Sequence, residues 1–346
     1  MKHTIFLVHG MGVHQSNVWI KEITRKLKSV SKNYQFFKTN NLEDYVEFFP
    51  INYDNVINKI LEEWKNAEDI VEFAKLHGLT DKKVFDYLKS LTDEEKKFLW
   101  EYVGDVIIYR FFPTYKNLIR ISVIEQFAKK INQLIDSSGQ AVCSVIAHSL
   151  GTIVAHDSLH KLGTEDWENV TNVLSPEHWK FNSIFMIANT SKLLESDIDP
   201  YKSIVKPGKS GDKDSYCYHY FNFWHYLDPV PNLKKFNPDW DKDYESIELN
   251  HFRKYNIHAF THYLDNPKVH IPIFRSTVGF YSVLPDEENQ AIQNYPQFGD
   301  DLVFGEDVKE FIEKLKKLLS GGGEDKWIEI ILEFYKLVSK VKNKEF

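Results

Sequence analysis

The stretch Ala141-Val142-Cys143-Ser144-Val145-Ile146-Ala147-His148-Ser149-Leu150-Gly151 decides the fold. Its first seven residues are a short apolar run of strand length. Leu150 to Leu162 then carries apolar residues at helical spacing. A strand that is apolar on both faces belongs inside a parallel sheet covered by helices. Ser149 stands at the join, with the small residues Ala147 and Gly151 two positions to either side. That is the pattern of a sharp strand-to-helix turn, which forces the serine into a strained backbone conformation and leaves no room for bulky neighbours. Alanine at 147, where glycine is usual, still meets the demand for small volume. The turn also aims the helix amino terminus, and the Leu150 N–H, at whatever Ser149 attacks. The pentapeptide alone could sit on any surface; the flanking strand and helix give it chemical meaning.

Working outward, further alternations appear. Thr4 to Val8 is a second buried strand, followed by a helix over Asn17 to Lys28 with Asn17 as its cap. Tyr45 to Ile51, Phe181 to Ala188, Tyr216 to Tyr226 and Tyr244 to Leu249 complete the strands. A helix follows near Ala259 to Leu264. Strand and helix in alternation imply a doubly wound, mostly parallel α/β sheet. The core is expected over residues 1–52 and 121–300. Between them, residues 53–120 exceed one crossover helix and read as a helical insertion over one end of the sheet. Leu118 to Ile135 reads as a separate long helix. Residues 301–346 are expected to form a helical extension broken at Gly321–Gly323, and Asp197 to Asp214 reads as a mobile Lys/Gly/Asp-rich loop.

Composition narrows the function classes. The 346 residues are 42% hydrophobic and 27% charged, which is ordinary for a soluble globular chain and excludes disorder. A net charge of −7 without a dense basic block argues against nucleic acid as a partner. Two cysteines, Cys143 and Cys217, exclude a disulfide scaffold and fit a reducing compartment. The apolar amino-terminal run is too short for a signal peptide, and no stretch has the length of a transmembrane helix, so a cytoplasmic location is expected.

A serine nucleophile needs an oxyanion donor, an acid and a base. His9-Gly10-Met11-Gly12 ends the first strand, where glycines let backbone approach a substrate closely; the Met11 N–H is the expected second donor beside Leu150. Asp228, in Leu227-Asp228-Pro229-Val230-Pro231, follows an aromatic strand and is the expected acid, although an aspartate opening a proline turn is common. Two histidines compete for the base. His258 sits where the last loop meets its helix and is preferred; His262 lies one turn on and is the alternate base or a pocket residue. The i, i+4 pairs His258/His262 and His156/His160 lack the glutamate or cysteines of a metal site, so no metal or other cofactor is expected. His156 and His160 are read as solvent-facing or packed.

At these residues the chain resembles the α/β-hydrolase superfamily, and within it bacterial lipase-like serine hydrolases of the class 3 type. The features are His9-Gly10-Met11-Gly12, the turn from Ala147 to Gly151, Asn222 to Pro231, His258 ahead of Tyr263-Leu264, and Gly104-Asp105-Val106 with Tyr109. The resemblance covers roughly residues 4–275 and departs from the family at Ala147, the long insertion and the tail after Gly305. It implies an α/β-hydrolase fold with a helical cap and a Ser149–His258–Asp228 triad. The implied activity is cleavage of carboxylic esters, with a small-molecule ester or lipid as substrate. Three further readings stay open: a thioesterase or acyltransferase with the same groups, a catalytically silent interaction module, and peripheral membrane contact through the amphipathic last helix, whose plainer role is packing on the body. The insertion is either a lid or a fixed cap.

Overall fold

The computed structural model describes residues 2–10, 18–65, 104–165, 174–195, 197–240, 242–250 and 257–295, with 310, 313, 314, 316 and 317. Met11, Asn17, most of the insertion (66–103) and most of the tail after Gly305 lie outside the described residues.

Six strands, β1 (His3–Val8), β2 (Val46–Ile51), β3 (Cys143–His148), β4 (Phe181–Ile187), β5 (Cys217–His225) and β6 (Tyr244–Leu249), pair in the order β2-β1-β3-β4-β5-β6. Every pairing is parallel. The chain is therefore of the α/β class. After β1 it lays β2 on one side, then returns to lay β3 on the other and moves steadily outward. The carboxyl ends of β1 and β3 flank the point where strand order reverses, which is where such sheets open a crevice.

The apolar strands explain the layering. Ile5 and Leu7 of β1, Ile146 of β3 and Phe185 and Ile187 of β4 point to one face. Phe6, Val8, Val145, Ala147, Ile184 and Met186 point to the other. With strand residues alternating sides, both faces must be covered, and each fully buried Ile, Leu or Phe contributes about 1.5–3 kcal/mol. The first face is covered by α1 (Val18–Ser31), through Trp19, Ile23 and Leu27. Short α2 (Gln35–Thr39) and α3 (Leu42–Tyr45) then lead into β2. Pro50 lies within β2, paired opposite Leu7; an edge strand tolerates the missing N–H.

The second face is covered by α4 (Asp54–Lys65), α5 (Gly104–Phe111), α6 (Pro113–Ser138) and α7 (Leu150–Thr164). Helix α6 starts at Pro113, five residues before the expected Leu118, and runs unbroken through 120. Pro113 occupies its first turn, and Gly139 ends it in a left-handed conformation (φ 74°), with its N–H donated to the Ile135 carbonyl. Beyond β5 comes α8 (Pro229–Leu233), and beyond β6 come α9 (Phe260–Asp265), α10 (Pro267–Thr277) and α11 (Pro285–Asn294). Helices α9 and α10 close the first face.

The segment from Asp197 to Asp214, expected mobile, is irregular but pinned. Asp197 pairs with Lys116 and with the buried Arg120 guanidinium; Ser203 and Val205 are buried. The Lys180 ammonium donates to the carbonyls of Asp212 and Ser215. Asp197, at the start of a stretch whose composition reads as a mobile loop, is here the partner of two buried cations. Among the described residues, no helix is long and apolar enough to cross a membrane.

Candidate active site

Ser149 follows β3 and immediately precedes α7, with φ 53° and ψ −128°. A non-glycine residue in that region costs about 1–3 kcal/mol and persists only where its surroundings hold it. The hold is visible. The Ser149 N–H donates to the Ile187 carbonyl (3.0 Å), and the Ser149 carbonyl accepts from the Thr152 N–H (2.9 Å), the Thr152 hydroxyl (2.7 Å) and the Thr190 hydroxyl (2.9 Å). Gly151 is small for a measurable reason: a Cβ there would lie 2.1 Å from the His9 carbonyl oxygen and 2.7 Å from that of Val8. Gly10 is similarly crowded, 2.9 Å from the Ser149 Cβ. The elbow and the end of β1 are thus packed backbone to backbone. Ala147 is fully buried in the sheet between Val8 and Met186.

Asp228 caps α8: its Oδ1 accepts from the Val230 N–H (3.1 Å). The proline turn and the functional carboxylate are one device, since the cap leaves Oδ2 facing the other way. The Asn232 side chain fixes the turn by donating to the carbonyls of His225, Tyr226 and Asp228. Oδ2 lies 2.8 Å from His258 Nδ1 and 2.7 Å from the Tyr263 hydroxyl. Burial alone would raise the Asp228 carboxyl, but the facing His258 ring, the Tyr263 hydroxyl and the Val230 N–H outweigh it and hold the group below its ordinary 3.8. For Tyr263, burial and the adjacent carboxylate push the hydroxyl well above 10, so it stays a donor.

A charged carboxylate can only accept, so His258 Nδ1 carries the proton. Nε2 of the neutral ring then presents a lone pair, and it lies 2.8 Å from Ser149 Oγ. Hydroxyl, imidazole and carboxylate therefore form one continuous line, drawn from the ends of β3, β5 and β6 on the carboxyl edge of the sheet. Of the two histidines considered for the base, His258 is the one that reaches Ser149. His262 is buried on α9 with its ring 5.9 Å from that of His225.

Leu150 is the first residue of α7, so its N–H precedes the helix's own i→i−4 ladder and points out of the amino terminus beside Ser149. Met11 lies outside the described residues. The loop leading to it is braced: the His9 ring stacks on Tyr53 at 4.3 Å and pairs with Asp54 at 3.3 Å, and the Tyr53 hydroxyl donates to the His9 carbonyl (2.7 Å). Sequence reading gave no hint of Tyr53, Asp54, Thr152, Thr190 or of Tyr263's partnership with Asp228. Apart from Thr152, three residues after Ser149, each acts on a residue brought near only by the fold.

His156, read as solvent-facing or packed, is fully buried between Asp157 Oδ1 (3.0 Å) and Ser203 Oγ (2.7 Å). His160 is half-buried, near the Ile204 N–H. Among the described residues, no group of three or more His, Cys, Asp or Glu side chains is placed to hold a metal ion.

No protein-family model matches the chain, and no curated protein matches it in sequence.

Proposed function

We propose that this chain is a serine hydrolase of the α/β-hydrolase type that cleaves carboxylic esters, with Ser149, His258 and Asp228 as its triad. One observation carries the reading: a serine held at φ 53° at a strand-to-helix turn, its Oγ 2.8 Å from an imidazole whose far nitrogen is 2.8 Å from a buried carboxylate. A packing role explains none of these together. Strain at the serine weakens the fold, and burying a carboxylate costs free energy that packing alone does not repay.

The chemistry follows the geometry. His258 Nε2 takes the hydroxyl proton as Ser149 Oγ attacks the ester carbonyl. Asp228 stabilises the imidazolium that forms. The Leu150 N–H at the head of α7 meets the developing oxyanion, and the Met11 N–H is assigned as the second donor from its place after β1; each such donor contributes on the order of 3 kcal/mol to the barrier reduction. The imidazolium then protonates the departing alcohol, and water releases the acyl group by the reverse relay. The substrate is assigned as a lipid or another acyl ester. Thioesters and acyl transfer to an alcohol would use the same groups.

Assay of purified protein against aryl esters of increasing acyl length, phospholipids and acyl thioesters tests this reading. Ester turnover that vanishes in Ser149→Ala is the expected result. Turnover that survives the substitution would contradict it.

A further inference from the structure

Beside the nucleophile stands a histidine that the triad chemistry does not use. His148, the last residue of β3, is buried, and its Nε2 lies 2.8 Å from the backbone carbonyl oxygen of His258. A carbonyl can only accept, so His148 Nε2 carries the proton and donates. Its ring stacks face to face on Phe260 (centroids 4.8 Å apart, planes 5° apart) and lies 5.0 Å from the His258 ring. On the other side it is pressed against the end of β1, where a Cβ at Gly10 would come within 3.1 Å of His148 Nδ1.

We propose that His148 is a positioning residue: it ties the backbone of the base, His258, to the same strand end that carries the nucleophile. The inference rests on the serine-hydrolase reading. Its logic is geometric. His258 enters the site from a loop rather than from a strand, and a ring hung on a loop can swing about its backbone. Contacts at Nδ1 and Nε2 fix the ring plane, but they do not fix the backbone from which it hangs. The His148–carbonyl bond supplies that third anchor. The stack on Phe260, two residues after His258, keeps the His148 ring in register with the first turn of α9. Because His148 and Ser149 are consecutive residues, movement of one end of the Ser149–His258 bond is transmitted to the other, and their separation is preserved. Placement errors near 1 Å at a reacting centre can cost about a hundredfold in rate, so an anchor of this kind acts on turnover rather than on binding.

The test compares His148→Phe, which keeps a flat ring against Phe260 but cannot donate, with His148→Gln, whose amide N–H can reach the carbonyl. Phe260→Leu, which removes the stacking partner and leaves every triad atom, guards against a folding failure at 148. Readouts are kcat and KM on a short aryl ester, the rate of Ser149 labelling by a fluorophosphonate, and thermal melting. The expected result is a tenfold to hundredfold fall in kcat and labelling rate for His148→Phe at nearly unchanged KM, substantial recovery in His148→Gln, and a smaller fall in the same direction for Phe260→Leu. Wild-type rates in a folded His148→Phe, or equal losses in the Phe and Gln variants, would overturn the proposal while leaving the triad intact. Should His148→Phe not fold, undiminished kcat in Phe260→Leu would overturn it. A wild-type protein that neither hydrolyses esters nor labels would instead overturn the underlying reading, and the role of His148 with it.

Discussion

Tyr263 and His258 share one oxygen atom: the tyrosine hydroxyl and the imidazole Nδ1 lie 2.7 and 2.8 Å from Oδ2 of Asp228. The tyrosine hydroxyl also accepts from the His225 N–H at 3.1 Å, so one phenol links the end of β5 to the acid. Tyr263→Phe removes a donor that holds the Asp228 carboxyl low and takes an acceptor from a buried amide. We expect a stability loss of about 1–2 kcal/mol. The carboxylate would then protonate at a higher pH, so the acidic limb of the kcat/KM profile moves upward in pH. Denaturant unfolding and a pH–rate profile check both effects. An unmoved acidic limb would remove Tyr263 from the electrostatics of the site.

Burial holds His3 and His270 at about 4, well below the ordinary 6.5. Both are neutral in the folded protein over a range where the unfolded chain binds protons. Their contribution to stability is therefore complete above pH 6.5 and falls as pH drops from 6.5 toward 4. Melting temperatures measured across that window should decline more steeply for the wild type than for a His3→Gln/His270→Gln double variant. Parallel slopes would show that these rings do not govern acid sensitivity.

The two crowded glycines should fail differently. At Gly151 an added methyl would meet two backbone carbonyl oxygens, at 2.1 and 2.7 Å, neither of which can rotate aside. At Gly10 it meets the Ser149 Cβ at 2.9 Å and a histidine ring nitrogen at 3.1 Å. Gly151→Ala is expected to abolish soluble folded protein, and Gly10→Ala to fold but label slowly with a fluorophosphonate. Circular dichroism with probe kinetics separates the two outcomes.

Away from the site, the buried Arg120 guanidinium joins Asp157, which is fully enclosed, to Asp197, which is 48% exposed. Removing a partner from a buried pair is far more damaging than removing an exposed one. Arg120→Met should cost about 3 kcal/mol or more in denaturant unfolding, and Asp197→Asn about 1 kcal/mol or less. Equal losses would mean that the loop contact, and not the buried charge, holds these helices together.

How far the sequence reveals this molecule depends on how local each cause is. The turn at Ser149 is legible because its causes lie within eleven consecutive residues: an apolar strand, two small neighbours and a helix start. The strands themselves are legible for the same reason, since β1, β3 and β4 are apolar on both sides; their order in the sheet is not. Helices α10 and α11 are not anticipated, although Asn266-Pro267 and Pro285-Asp286-Glu287-Glu288 carry helix-start signals; Pro272 inside α10 hides the pattern. The pinning of residues 197–214 depends on Arg120, 77 positions before Asp197 along the chain. Likewise, the loop-end place of His258 favours it over His262 in the sequence, but its 2.8 Å contact with Ser149, 109 positions earlier, arises only in the fold.

Where a fluorophosphonate attaches decides whether Ser149 is the nucleophile. Reaction of the purified wild-type chain, followed by peptide mass spectrometry, should place a single covalent adduct on Ser149, with labelling lost in both Ser149→Ala and His258→Ala while each remains folded. An adduct on another residue, or undiminished labelling of folded Ser149→Ala, would contradict that role.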